Sequence, residues 1–253
     1  MRYIAWIDGH VVEAAELRHD VPYVMQRIHT IRGKACNAYI HVVVMREAAE
    51  YMFAFASLIT GADVERIISR LLESAYAPLD RSVPVVMRLN SRGELSFEVE
   101  EPTYGCGAYL RAKRLVGVEI EHFPPMPIMA QSSESVAIDV MTNHRVRSLG
   151  GDMALWVDSH GNLISHPWMP LFVYHKGVIF TPEEYTSVEY IVATKAIEEA
   201  GYSVYVRAIP GSALSIIDEL FVVDVMGVTS LSMTRKHRLQ SSVAIRVAQM
   251  MEP

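Results

Sequence analysis

Three prolines fall within five residues at Phe123-Pro124-Pro125-Met126-Pro127. Proline has no N–H to give a ladder and is excluded from helix interiors, so neither a helix nor a central strand runs through this stretch. It reads as a stiff interdomain linker. That places an N-terminal domain at 1–122, a linker at 123–127 and a C-terminal domain at 128–253. A chain of 253 residues is long enough for two small domains, each with a core of its own.

Both halves mix strands with a few strong helices, an α+β pattern. Asp8-Gly9 between Tyr3–Ile7 and Val11–Val12 is a hairpin turn signal, and Lys176-Gly177 is flanked in the same way by Leu171–Tyr174 and Val178–Phe180. Met45–Thr60 reads as a helix. Ala62–Ala75 reads as another, with Val64, Ile67, Ile68, Leu71 and Leu72 on one face. Pro84–Leu89, Leu95–Val99, Leu115–His122, Ala154–Asp158, Leu163–Ile164, Tyr202–Ile209 and Leu220–Val225 read as strands. Thr181, Pro182 and Glu184 have the spacing of a helix start with a capping box, and Gly201 suits the residue just past that helix.

Apolar residues make up 51% and charged residues 21%, and the net charge is −6. There is no basic block, which argues against nucleic-acid binding. The apolar runs are too short to span a bilayer, and the N-terminus MRYIAWIDGH carries an acid early and lacks the long apolar stretch of a signal peptide. Cys36 and Cys106 show no metal or redox spacing, and they fit a reduced cytoplasm. The ten histidines are scattered with no metal-ligand spacing. GxGxxG, Walker A, GxSxG and HExxH motifs are absent.

Several segments, taken in order, carry a family likeness. They are WIDGHVV (6–12), HVVVM (41–45), ALWVDSHGNLIS (154–165), LFVYHKGVIFTP (171–182), AIEEAGYSVYVRAI (196–209) and IDELFVVDVMGVTSL (217–231). Together they resemble the class IV aminotransferases, the branched-chain aminotransferase and aminodeoxychorismate lyase group. The likeness implies a two-domain α+β architecture of PLP fold type IV, a homodimer, and in ordinary members chemistry on pyridoxal phosphate (PLP).

This sequence departs from that family at the cofactor. A lysine Schiff base is the entry to PLP chemistry. The only lysines are Lys34, Lys113, Lys176, Lys195 and Lys236, and none lies between Arg114 and His175, where the family's lysine falls. The resemblance matches that lysine to about Gln131 or Ser132. It matches the phosphate-binding arginine to Val44 and the glutamate that meets the pyridine nitrogen to about His166. The phosphate-binding helix start becomes Tyr185-Thr186-Ser187-Val188, and the T-G-T loop becomes Val223-Asp224-Val225. A phosphate dianion needs an arginine, hydroxyls and free N–H groups. Five losses at once imply that PLP is not the cofactor, and none other is implied. A relocated lysine remains open at Lys113 or Lys195.

With PLP gone, the cleft that such domains form is the expected small-molecule site. His166 is the candidate general acid or base, since imidazole titrates near neutrality. The alternative is that it fills a turn beside Pro167 and Trp168. Asp224, after four apolar strand residues, is a candidate carboxylate to pair with a base, and Asp139 is a further catalytic candidate on the segment after the missing lysine. Asp224 otherwise caps a strand end, and Asp139 and His144, five apart, do not share a helical face. Arg88, Trp168, Thr186 and Ser187 are candidate substrate contacts. Cys106, between Gly105 and Gly107, is either a loop thiol or a nucleophile. These residues point first to a PLP-independent enzyme of small-molecule biosynthesis, of a secondary metabolite or an amino-acid derivative. The alternatives are a non-catalytic protein that binds a metabolite or partner subunit, and a transaminase or lyase with a relocated lysine.

Overall fold

The computed structural model describes residues 1–55, 57–103, 110–111, 115–122, 127–235 and 237–251. It forms two compact units, Met1–Ala108 with Ile128–Glu134, and Tyr109–Pro127 with Ser135–Glu252. The linker residues Phe123–Met126, Cys106, Lys113 and Lys236 lie outside the described residues.

The first unit is built on a six-stranded sheet in the order Gln131–Ser132, Tyr23–Ile28, Val85–Asn90, Leu95–Val99, Ile4–Ile7, His10–Glu13. Every pair in it is antiparallel. Asp8 and Gly9 both take positive φ in the two-residue turn that pairs Ile7 with His10, the conformation that Asp-Gly supplies at low cost. Alternation sets the two faces apart. Val24, Ile28, Val85, Met87, Leu89, Phe97 and Val99 are buried, and they share a face with Ile4. Helices α1 (Ala38–Phe53) and α2 (Gly61–Ser74) pack on this sheet and on each other. The opposite face carries Tyr23, Arg27, Arg88, Asn90, Ser96 and Glu98.

The first helix corrects the sequence-based expectation of Met45–Thr60. Its buried positions Ala38, His41, Val42, Met45, Ala48 and Ala49 repeat at helical spacing, although the run Val42-Val43-Val44 has strand propensity. It ends at Ala54, which turns left-handed at φ 57. Thr60 is not its last residue but the cap of α2: its hydroxyl accepts from the Asp63 N–H, and Asp63 accepts from the Thr60 N–H.

The second unit holds a six-stranded sheet in the order Val204–Val206, Val178–Thr181, Leu171–His175, Glu219–Asp224, Gly227–Ser230, Leu110–Arg111. A three-stranded sheet, Met153–Val157, Val116–Glu121 and Met233–Thr234, is parallel throughout. Helix α3 (Ser133–Ser148) starts at the end of the first unit's chain segment and sets Val146 and Ile138 against Val118, Ile120, Ala154 and Trp156 of that smaller sheet. Helices α4 (Val188–Glu199) and α5 (Ser242–Met250) pack on each other and on the larger sheet. Glu219 is fully buried and caps α5, its carboxylate accepting from the Ser242 hydroxyl and from the Val243 and Ala244 N–H groups.

Three further expectations are corrected in this unit. Thr181 is the last residue of a strand, and α4 begins seven residues later under Ser187. The Thr181 hydroxyl donates to the Glu183 carbonyl, so the Thr-Pro-x-Glu pattern serves a bend and not a cap. Leu163–Ile164 contributes one isolated bridge, Val157 to Leu163, and no strand. The Tyr202–Ile209 strand shrinks to Val204–Val206 because Ile209 turns away to pack against Leu163 and Leu214. No helix among the described residues is long and apolar enough to cross a membrane.

Candidate functional site

The site grows from a turn. Pro167 pre-sets the backbone for the second position of a four-residue turn, and the Met169 N–H donates to the His166 carbonyl at 3.0 Å. This holds His166 at the start of the turn and Trp168 near its end. The two rings stack, centroids 4.9 Å apart and 18° from parallel. Trp156, from the parallel sheet, also meets His166, with the rings nearly perpendicular and centroids 5.6 Å apart. His122 in turn lies edge-on to Trp156 at 4.5 Å. The candidate acid–base residue His166 and the candidate substrate contact Trp168 therefore belong to one turn.

His166 is 5% exposed, and neither of its ring nitrogens has a hydrogen-bond partner among the described residues. Burial, and then the nearby His122, lower its pKa to about 4, so the ring is neutral at physiological pH. Hydrogen bonds tie the neighbouring Ser165 and Tyr185 into the fold. Ser165 Oγ accepts from the Leu171 N–H at 2.8 Å, and the Ser165 carbonyl accepts from the Tyr185 hydroxyl at 2.8 Å. The Tyr185 hydroxyl also donates to Glu183. Burial pushes the Tyr185 pKa far above its ordinary value, so this phenol remains a donor.

Ser187 is fully buried and holds the start of α4. Its hydroxyl donates to the Pro167 carbonyl at 2.5 Å and accepts from the Tyr190 N–H at 3.4 Å. Its neighbour Thr186 is exposed. Asp224 sits at the tip of the Glu219–Asp224 hairpin, where its carboxylate accepts from the Met226 N–H at 2.7 Å. Asp139 is half-buried on α3, and His144 is exposed on the same helix. Neither aspartate hydrogen-bonds to His166.

In the first unit, Gln131 is 7% exposed and its carbonyl oxygen accepts from the Arg27 guanidinium at 2.9 Å. Arg27 also binds Glu100 through Nε, at 3.1 and 3.2 Å. No motif or spacing in the sequence pointed to Arg27. Only the strand register, Gln131 beside Met25, brings it there. Val44 is 2% exposed inside α1. Arg88 pairs with Glu98 at 2.5 Å, crosses the Tyr23 ring at 5.9 Å, and lines a cavity of about 70 Å³ with His19, Asn90 and Ser96. Its Nε has no partner among the described residues.

The lysines are placed as follows. Lys34 is exposed at the start of the short strand Lys34–Ala35, Lys176 is exposed on a turn, and Lys195 is exposed on α4, 3.8 Å from Glu199. Among the described residues, no group of three or more His, Cys, Asp or Glu side chains is arranged to hold a metal ion.

The sequence matches no protein-family model and no curated protein. Solved structures do match. The branched-chain aminotransferase of the thermophilic archaeon Thermoproteus uzoniensis, with norvaline, superposes with a TM-score of 0.79 at 16% identity, over 98% of this chain and 93% of that one. The Escherichia coli branched-chain amino acid aminotransferase gives 0.79 at 13% identity, over 98% and 92%. A Brucella abortus aminotransferase bound to PLP gives 0.80 at 17% identity, over 99% and 98%.

The chain has the class IV aminotransferase fold.

At such identities it is the fold that is shared. Within this class IV aminotransferase fold, the positions that the sequence likeness matched to cofactor contacts carry Gln131, Val44, His166, Ser187 and Asp224. Each of the five is buried, hydrogen-bonded within its own unit, or both.

Proposed function

We propose that this class IV aminotransferase-fold chain works without PLP, as an enzyme that uses the His166 imidazole for proton transfer on a small-molecule substrate. One observation carries the reading: a buried, neutral imidazole with neither ring nitrogen hydrogen-bonded among the described residues. Buried polar groups are as a rule hydrogen-bonded, so an exception asks for the partner that completes it. A neutral imidazole can accept a proton, and one with so low a pKa gives it up again readily.

The residues do not fit PLP. Gln131 offers an amide where an amine is needed, and that amide is already held by Arg27. The α4 N-terminus, where an anion would bind, is closed by Ser187. Val44 brings no charge, and Asp224 would repel a phosphate. A homodimer and a place in small-molecule biosynthesis belong to the same proposal.

Absorbance of the purified protein titrated with PLP tests the cofactor reading. The expected result is no saturable band. A band that borohydride fixes onto a lysine would overturn it, and mapping the adduct to Lys113 or Lys195 would establish a relocated site. For catalysis, His166→Ala is expected to abolish turnover of any substrate the wild type converts, and full activity in that variant would remove His166 from the mechanism.

A second reading, a non-catalytic protein that binds a metabolite or partner subunit, is favoured by the absence of any carboxylate hydrogen-bonded to His166 among the described residues. Without one, the ring is not oriented as in a catalytic dyad. That reading expects saturable binding with no turnover.

A further inference from the structure

We propose that the ligand completing His166 is uncharged, an amide, carbonyl or hydroxyl compound and not a carboxylate or phosphate. This rests on the reading above that His166 meets a small molecule, and it goes further by naming the class.

Supply and demand around the ring point this way. A neutral imidazole has one N–H to donate and one lone pair to receive. Neither is met among the described residues. Ser165, Tyr185 and Ser187, the neighbouring polar side chains, have their hydrogen bonds with Leu171, Glu183 and the Ser165 and Pro167 carbonyls. None of the three is a cation that an incoming anion could pair with, and the Ser165 hydroxyl, which accepts from Leu171, keeps only a neutral O–H to offer. Trp156 and Trp168 cover the ring with apolar surface.

An anion brought against the buried His166 ring would lose its hydration. Burying a carboxylate is costly unless a cation is there to pair with it. Among the described residues no lysine or arginine hydrogen-bonds to residues 165–168, and the imidazole itself carries no charge at physiological pH. An uncharged amide faces no such cost. Its C=O can take the ring N–H, or its N–H can meet the ring lone pair, and a planar body can lie against indole.

The test uses the full chain with nitrogen-15 in its histidine rings and three isosteric probe pairs: nicotinamide and nicotinate, benzamide and benzoate, indole-3-acetamide and indole-3-acetate. The His166 ring nitrogens are followed by NMR during each titration. The amides are expected to shift them saturably and to bind at least about tenfold more tightly than the matching carboxylates. His166→Phe keeps the ring stack and removes both nitrogens, so it is expected to lose amide binding while retaining a cooperative melt.

The inference is overturned if the carboxylates bind as tightly, if His166→Phe binds amides as well as the wild type, or if the ring responds to no probe and contacts only bound water. A Schiff-base band with PLP would defeat the cofactor reading and leave the amide preference standing. A preference for carboxylates would defeat this inference and leave PLP independence standing.

Discussion

Of the three histidines buried among the described residues, His29, His41 and His166, the structure treats the last two in opposite ways. His41, inside α1, is 2% exposed, and its Nδ1 lies 2.8 Å from the Gln26 carbonyl oxygen. His166 is 5% exposed and has no partner at either nitrogen among the described residues. Both are held neutral by burial, His41 at a pKa of about 3 with help from His29, and His166 at about 4 with help from His122. His41 is a finished piece of core, a polar group buried together with its acceptor. His166 is unfinished. Burial alone therefore does not single out a histidine as a candidate; burial with both ring nitrogens unpartnered among the described residues does.

The largest test of that contrast is acid. Both folded-state pKa values lie below the 6.5 of an unfolded chain. Between the two values the unfolded state binds protons that the folded state refuses, so stability falls as pH falls. The contribution is complete above about pH 6.5 and is lost progressively toward pH 4 for His166 and pH 3 for His41. At about 1.4 kcal/mol per pKa unit this amounts to about 3 kcal/mol for His166 and about 5 kcal/mol for His41. Together these rival the whole stability of an ordinary domain. Urea unfolding at about pH 7.5, 5.5 and 4.5 should show the decline, and His166→Phe should recover the His166 share. If the variant declined as steeply as the wild type, His166 would not be a buried neutral ring.

At neutral pH the two sites should separate. His41→Phe leaves the Gln26 oxygen buried with no donor and crowds α1, a loss of about 2–4 kcal/mol. His166→Phe removes two unsatisfied nitrogens and keeps the stack on Trp168, so the change should stay within about 1 kcal/mol. Urea midpoints at about pH 7.5 measure both. Equal losses would mean that water or another group satisfies His166 as fully as Gln26 satisfies His41.

Much of the fold could be read from local chemistry. Asp8-Gly9 and Lys176-Gly177 announced their hairpins because two positive-φ positions in a row demand such residues. The period of Val64, Ile68, Leu71 and Leu72 announced α2. The failures were also physical. Three valines in a row hid the start of α1, and Thr181-Pro182 imitated a cap that Ser187 provides. The order of segments was enough for the aminotransferase fold, since order survives when individual residues drift. At the candidate site, His166 and Trp168 were legible as neighbours in one short turn. Arg27 was not, because its contact with Gln131 spans 104 positions and depends on strand register. Nor could the sequence show that Trp156 packs against the imidazole.

The smallest expected effect concerns the helix end beside His166. In the wild type, Ser187 supplies to α4 what a bound anion would otherwise supply: an oxygen for the Tyr190 N–H. Ser187→Ala removes that oxygen and also strips the donor from the Pro167 carbonyl, at a cost of about 1 kcal/mol. Ser187→Gly keeps a permissible cap geometry and should cost less at the helix end, a few tenths of a kcal/mol, while leaving its N–H groups open. Millimolar inorganic phosphate should then raise the melting temperature of Ser187→Gly and leave the wild type unmoved, because a helix N-terminus favours anions only while its donors are free. A wild-type protein that responded to phosphate as strongly as the variant would mean that α4 still receives anions. The contrast between a helix end closed by Ser187 and an unsatisfied His166 would then have to be redrawn.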